Sequence, residues 1–271
     1  MKNSFTHTVL TIAGSDPYGG AGVRVDSKVI HVLGGYALSV VTASTAQNST
    51  GVKDVWVTPT AHFEMQLETL LNDIKVDALK IGMLGNAEKI NSIIKYIKEY
   101  DIKNIVLDTP FVSTSGKVLL DTSGIESMVK NLFPLADMIT PNIPEINALL
   151  GTNYEGKEDE IESMSKGLFD LGAKAVLIKG GHSQNNEYAT DYLVIPNRNP
   201  IAYTSPRVDT SHTHGTGCVL SSAIATYLVK GFGLEKSVKK AKDFLYQRLD
   251  TSSALQLKYS NKNQDRKEPL L

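Results

Sequence analysis

The chain is poor in cysteine: Cys218 is the only one in 271 residues. That excludes an intramolecular disulfide and a zinc site built from several cysteines. An excess of either charge is also missing, since 28 basic residues stand against 29 acidic ones for a net charge of -1. Without a basic surplus, binding to nucleic acid or to an anionic membrane by bulk electrostatics is not expected. No apolar run is long enough to span a bilayer. The first seven residues have no apolar core of the kind a secretory signal carries. Repeats, low-complexity tracts and linkers are lacking too. The expectation is a reduced, cytoplasmic, enzyme-sized protein in one domain over 1–271, with a charged, frayed tail over 258–271.

What is present is a steady alternation of short β-branched runs with helical patterns. Strand-like runs fall at 8–13, 36–43, 52–57, 78–84, 104–109, 138–140 and 175–179. Helical spacing is seen over 23–33, 59–71, from 87, through 150, over 161–171, 219–230 and 235–249. Residues 191–195 and those near Tyr203 read as a hairpin. This order predicts an α/β fold with a mostly parallel central sheet and helices on both faces. In such sheets ligands sit beyond the carboxyl ends of the strands. The polar clusters fall at those ends: the glycine-rich loop 14–22, Gln47-Asn48 after the second strand, Asp108, Asn142 to Glu145, and Lys179-Gly-Gly.

The stretch with the most chemistry is Asp209-Thr-Ser-His-Thr-His-Gly-Thr-Gly-Cys218, which runs straight into a helix. Gly215 and Gly217 leave the backbone bare, so successive amides can turn toward one point at the positive end of the helix dipole. Such a point suits a phosphoryl group or another anion. Cys218 lies at the helix mouth, where a thiolate is expected to be less costly. A tight capped turn followed by a small buried hydrophobe is the plainer alternative. Gln47 and Asn48 can each donate and accept, which suits the edge of a heteroaromatic ring or, equally, a turn. Asn142 to Glu145 with Pro144 between them also reads as an ordinary helix start. Lys179 reads as a solvated lysine or as a phosphate contact, and Asp108 as a functional carboxylate or a loop cap. The loop 14–22 lacks the Gly-Lys-Ser/Thr ending of a P-loop and the spacing of a dinucleotide fingerprint.

Six motifs in order resemble those of the hydroxymethylpyrimidine/phosphomethylpyrimidine kinases, the thiamine-biosynthesis members of the ribokinase-like superfamily. They are Thr11-Ile-Ala-Gly-Ser-Asp-Pro-Tyr-Gly-Gly-Ala-Gly22, Thr42-Ala-Ser-Thr-Ala-Gln-Asn48, Lys80-Ile-Gly-Met-Leu84, Ile139-Thr-Pro-Asn-Ile-Pro-Glu145, Lys179-Gly-Gly-His182 and Thr213-His-Gly-Thr-Gly-Cys218. The resemblance runs from about Thr8 to Leu249. It implies ATP and Mg²⁺ as cosubstrates, a homodimer, and phosphorylation of the pyrimidine's hydroxymethyl group and then of the monophosphate. By the same resemblance Gly14, Asp26, Gln47 and Met83 line the pyrimidine pocket. Asn142, Lys179 and His214 serve ATP, and Glu145 serves the metal through water. Gly215, Thr216, Gly217 and Cys218 form the catalytic anion hole.

Related pyridoxal kinases share the architecture, so vitamin B6 salvage is the alternative activity. A non-catalytic pyrimidine-binding protein on the same scaffold is a third reading. Three departures from the family pattern motivate these alternatives: Pro110-Phe111 in one pocket wall, Arg24 and Ser27 in the first helix, and the absence of a Gly-x-Gly-x-Pro segment near the end.

Overall fold

A computed structural model describes residues 7–48, 51–112, 118–182 and 187–252. The expected frayed tail at 258–271 lies outside the described residues. In chain order the elements are β1 (Thr8–Ser15), α1 (Gly22–Val32), β2 (Tyr36–Asn48), β3 (Gly51–Val57), α2 (Thr60–Asp73), β4 (Ala78–Ile81), α3 (Ala87–Glu99), β5 (Ile105–Leu107) and α4 (Thr122–Ser127). They continue with β6 (Met138–Ile139), α5 (Ile143–Leu150), α6 (Ile161–Asp170), β7 (Val176–Ile178), β8 (Tyr188–Val194), β9 (Ile201–Pro206), α7 (Thr216–Val229) and α8 (Leu234–Asp250).

The nine strands form one sheet in the order β3-β2-β1-β4-β5-β6-β7-β8-β9. The six central strands, β2 to β7 in that order, are parallel, and both edges are completed by antiparallel pairs. Side-chain alternation on the strands explains why helices cover both faces. Leu10 and Ile12, Leu79 and Ile81, and Ile105 and Leu107 face α2, α3, α5 and α6. Val9, Ala78 and Val106 face the other way, against α1, α7 and α8. The mostly parallel sheet expected from the sequence is therefore what forms.

One boundary differs from the sequence reading. The polar cluster after the second strand is not a loop at its start: β2 continues through Asn48 and pairs with β3 antiparallel, with Ser44 opposite Trp56. Beyond Ala43 this ribbon leaves the helical layers, so its side chains need not be apolar, and the usual signal for a buried strand disappears.

Connections leave β1 in opposite senses. The chain first adds β2 on one side, then returns to place β4 on the other. The switch between β1 and β4 opens a crevice at their carboxyl ends. At the far edge, Lys242 of α8 reaches Asp191 of β8 at 2.6 Å, with both side chains less than a tenth exposed. Asp191 also accepts the Gly180 amide at 2.9 Å. Asp191→Ala leaves the Lys242 ammonium buried without its partner, so unfolding free energy falls by about 3–5 kcal/mol. Urea denaturation followed by circular dichroism measures this; a loss below about 1 kcal/mol would show that the pair carries little.

Candidate active site

Glycine decides the shape of the crevice. Gly215 caps α7 in the left-handed region, with φ 83°. A Cβ placed there would lie 1.8 Å from the Gly20 carbonyl oxygen. Gly22, the first residue of α1, has φ 60°, and a Cβ on it would lie 2.0 Å from the Gly14 oxygen. Only residues without a side chain let these two backbones approach so closely. The consequence is that α1 and α7 both begin at one place. Cys218 stands there: it is the third residue of α7, and the Gly22 amide at the start of α1 lies near enough to its sulfur to favour the thiolate slightly. The first intrahelical bond of α7 runs from the Val219 amide to the Gly215 oxygen, 2.9 Å. The amides of Gly217 and Cys218 come before it, with no carbonyl one turn earlier to accept from them. Two positive helix ends and bare amides give this point the chemistry that suits an anion.

The helix start was expected to ease ionisation of Cys218. Burial outweighs it: the thiol is pushed up to about 11, with Lys80 nearby opposing the shift and Asp26 and Asp108 adding to it. Near neutral pH the sulfur is a thiol.

Beside α7 lies a charged cluster. Lys179 follows β7, and its Nζ is 2.8 Å from Asp108 Oδ1 and 3.9 Å from Glu145 Oε2. A Cβ on Gly217 would lie 3.3 Å from Asp108 Oδ2 and 3.4 Å from Lys179 Nζ, so both groups reach the mouth of the helix. Burial works against the Lys179 charge, but Asp108 and Glu145 overcome it and hold the ammonium above its ordinary range. Asp108 is likewise opposed by burial, yet Lys179, Lys80 and the Thr140 hydroxyl keep its carboxyl below the usual value. Glu145 goes the other way: burial raises it, with Lys179 resisting.

Asn142 and Glu145 are first of all a capping box for α5. Asn142 Oδ1 accepts the Glu145 amide at 2.8 Å, while Glu145 accepts the Asn142 amide at 2.9 Å. The Thr109 hydroxyl and the Asn142 side-chain amide also donate to the Glu145 carboxylate, each at 2.9 Å. With its oxygens engaged this way, Glu145 fits a hydrated cation better than a bare one. Hard oxygens from Asp108 and Glu145 are the donor type Mg²⁺ takes, which retains most of its waters. Among the described residues no group of three or more His, Cys, Asp or Glu forms a cage for a metal held by protein alone.

The cleft that joins these groups encloses about 470 Å³. At one end are Gly14, Gln47 and Met83; a Cβ on Gly14 would lie 2.8 Å from the Met83 sulfur. At the other are Val208, Leu245 and Leu249. His214, expected beside the nucleotide, stands at the Gln47 end instead: its Nε2 is 3.0 Å from Gln47 Nε2 and 3.0 Å from Asp16 Oδ2. Asp16 also accepts the amides of Tyr18, Gly20 and Ala21, and so folds the glycine loop. Burial opposes its charge, but His214 and the Tyr18 amide keep its carboxyl below the ordinary value.

Asp26 was expected in the pocket wall and is not there. It is fully buried beneath the floor, and its carboxylate is taken up by Thr11, Lys80 and Ser222. The reason is helical phase: Val25, Asp26, Val29 and Ile30 form the face of α1 that packs on the sheet. Reading the sequence alone left Asp16 unassigned, left Asp108 undecided and missed Lys80 as a charge. Asp16 had a usable signal in its place within a glycine-rich turn.

The fold is that of a ribokinase-like α/β protein with its crevice at the carboxyl ends of the parallel strands. The model of the family described as phosphomethylpyrimidine kinase matches residues 16–263. The hydroxymethylpyrimidine/phosphomethylpyrimidine kinase of Haemophilus influenzae is 42% identical over 239 residues, 88% of either chain. A crystal structure of phosphomethylpyrimidine kinase from Clostridium difficile superposes with a TM-score of 0.77 at 37% identity, covering 89% of this chain and 99% of that one. An ADP complex of Bacillus subtilis pyridoxal kinase gives a TM-score of 0.82 at 32% identity, covering 92% and 94%. The chain belongs to the phosphomethylpyrimidine kinase family, and it is a phosphotransferase. Among the described residues no helix is long and apolar enough to cross a membrane.

The state of the sulfur gives a direct test. Cys218 is the only thiol, so iodoacetamide labelling reports on it alone. Its rate should be low at pH 7–8 and approach half-maximum near the value of about 11 to which desolvation pushes this half-buried thiol. A midpoint below pH 8 would show a thiolate stabilised by the helix starts.

Proposed function

We propose that the protein transfers the terminal phosphoryl group of ATP, with Mg²⁺, to the hydroxymethyl group of 4-amino-5-hydroxymethyl-2-methylpyrimidine, and then to the monophosphate. The observation that carries this reading is the meeting of two helix starts at Cys218, between a polar end holding Gln47 and an apolar end holding Val208 and Leu245. A flat base fits the apolar end. The triphosphate then runs past Lys179 and Asn142 toward the amides of Gly217 and Cys218. The pyrimidine lies against Met83 and Gly14, with its nitrogen edge on Gln47. Gln47, whose amide nitrogen lies 3.0 Å from His214 Nε2, must turn its side chain to the ring for that contact to form.

Phosphoryl transfer through a loose transition state asks for alignment and charge neutralisation more than for a strong base. Asp108 and, through water, Glu145 would hold Mg²⁺, which would supply charge neutralisation on the phosphates. Lys179 adds a cation that its two carboxylate neighbours keep protonated. The amides of Gly217 and Cys218 receive the equatorial oxygens. Cys218, as a thiol, orients the acceptor alcohol rather than deprotonating it. Gly215 and Thr216 set the start of the helix. A homodimer and a cytoplasmic setting belong to the same reading; the first rests on the family resemblance, and the second agrees with an unpaired cysteine.

Pyridoxal kinase activity is the second reading, favoured by the likeness to the Bacillus subtilis enzyme. Pro110, one of the departures in sequence, lines the cleft where the two acceptors would differ in fit. A coupled ADP-release assay with the pyrimidine, its monophosphate and pyridoxal separates the possibilities. We expect turnover with the first two and at most a tenth of it with pyridoxal; the reverse order would make the B6 reading correct. Binding of pyrimidine without Mg²⁺-dependent ADP release would leave only a binding protein. Cys218→Ala should lower kcat about 100-fold, the scale of a lost alignment, with pyrimidine affinity nearly intact. Gln47→Ala should raise KM for the pyrimidine about tenfold and leave KM for ATP unchanged.

A further inference from the structure

Beneath the floor of the crevice lies a charged cluster with no contact to the cleft. Asp26 of α1 accepts from the Lys80 ammonium at 2.8 Å and from the Thr11 hydroxyl at 2.6 Å, both on Oδ2. Its other oxygen accepts from Ser222 of α7 at 2.8 Å. All four side chains are wholly buried. Thr11 and Lys80 are register partners on β1 and β4, so the cluster sits on the two strands that flank the topological switch. Asp26 and Ser222 lie in the second turns of α1 and α7, one turn in from the helix starts that meet at Cys218. One carboxylate thus ties both helices to both strands.

Stability does not explain it. A buried ion pair loses the solvation of two charges, and a well-packed apolar replacement is often as stable or more so. What apolar packing cannot supply is direction: three donors on one carboxylate fix where each helix sits along and around its axis. The core around the cluster is otherwise Val25, Val29, Ala223 and Ile224, which would tolerate small slides. The position of α7 matters because its first amides and Cys218 must face the acceptor oxygen. An error of about 1 Å there is enough to slow transfer about 100-fold.

We infer that Lys80, Asp26, Ser222 and Thr11 act as positioning residues, setting the starts of α1 and α7 against the ends of β1 and β4 for the transfer step. The inference rests on the phosphotransferase reading above. It assigns Asp26 a place behind the site instead of a contact with substrate. Lys80 also brings a permanent positive charge below Cys218, since burial opposes that charge but Asp26 more than offsets the effect.

The test uses the full chain in two variants, Lys80→Met with Asp26→Leu, which replaces the pair by apolar groups, and Ser222→Ala, which cuts only the link to α7. Melting temperature, KM and kcat are measured with whichever of the pyrimidine and pyridoxal the unaltered protein phosphorylates. For the paired replacement we expect a melting temperature within a few degrees of the unaltered protein, KM within twofold, and kcat at least tenfold lower. For Ser222→Ala we expect kcat three- to tenfold lower at unchanged KM. Normal kcat in a folded variant overturns the inference, and so does a rise in KM for the acceptor alone, which would return Asp26 to the substrate pocket. If the paired replacement does not fold, Ser222→Ala decides by the same split. An unaltered protein that phosphorylates neither acceptor refutes the functional reading itself, and the positioning role falls with it; active protein with unaffected variants refutes the positioning role alone.

Discussion

Two helices can begin at one sulfur only if their backbones nearly touch other backbone there. Gly215 against the Gly20 carbonyl and Gly22 against the Gly14 carbonyl are the contacts that allow it. Any side chain at either position would need to displace backbone, and each φ lies where L side chains are strained as well. From this constraint the rest of the crevice follows. The orphan amides of α7 and the first amide of α1 converge, the single thiol is held between them, and the neighbouring strand ends bring in Asp108, Lys179 and Glu145.

The charges around that point are arranged in depth. At the surface of the cleft, Lys179 lies between two carboxylates, so its cation is secure while the local net charge stays negative. Such a site receives a polyanion well only when a cation accompanies it, which is the role for which the carboxylate oxygens suit Mg²⁺. Below the floor, Lys80 and Asp26 neutralise one another with no exposure at all. Between the two layers the thiol remains protonated because burial dominates the nearby lysine. The anion site therefore owes its attraction to oriented amides more than to free cations, which a nearly neutral protein can afford without a basic surface.

Much of the fold was legible in the sequence. Short apolar, β-branched runs and the order of strands and helices announced a mostly parallel sheet, and glycines before helices marked where its ends would open. What stayed hidden has physical causes. Lys80 sits in Lys80-Ile-Gly-Met-Leu84, where one lysine in an apolar run looks like a solvent-facing position; only the packing of α1 and α7 over that face shows that it is buried. Asp26 was placed in the pocket by the family resemblance alone, whereas its helical phase turns it to the sheet. β2 was cut short because its last four residues pair only with an edge strand, away from the helical layers. Asn142 and Glu145 form the helix start of their plainer reading, as a capping box, and they also line the crevice.

The central claim is that the migrating phosphoryl group is received by the amides where α1 and α7 begin. A crystal structure of the protein with AMP-PCP, Mg²⁺ and the pyrimidine tests it most directly. The account predicts terminal phosphate oxygens within hydrogen-bond distance of the amides of 217 and 218, about 2.7–3.2 Å, with the pyrimidine hydroxyl turned toward the Cys218 sulfur. A terminal phosphate bound away from these amides, with both helix starts facing solvent, would contradict it.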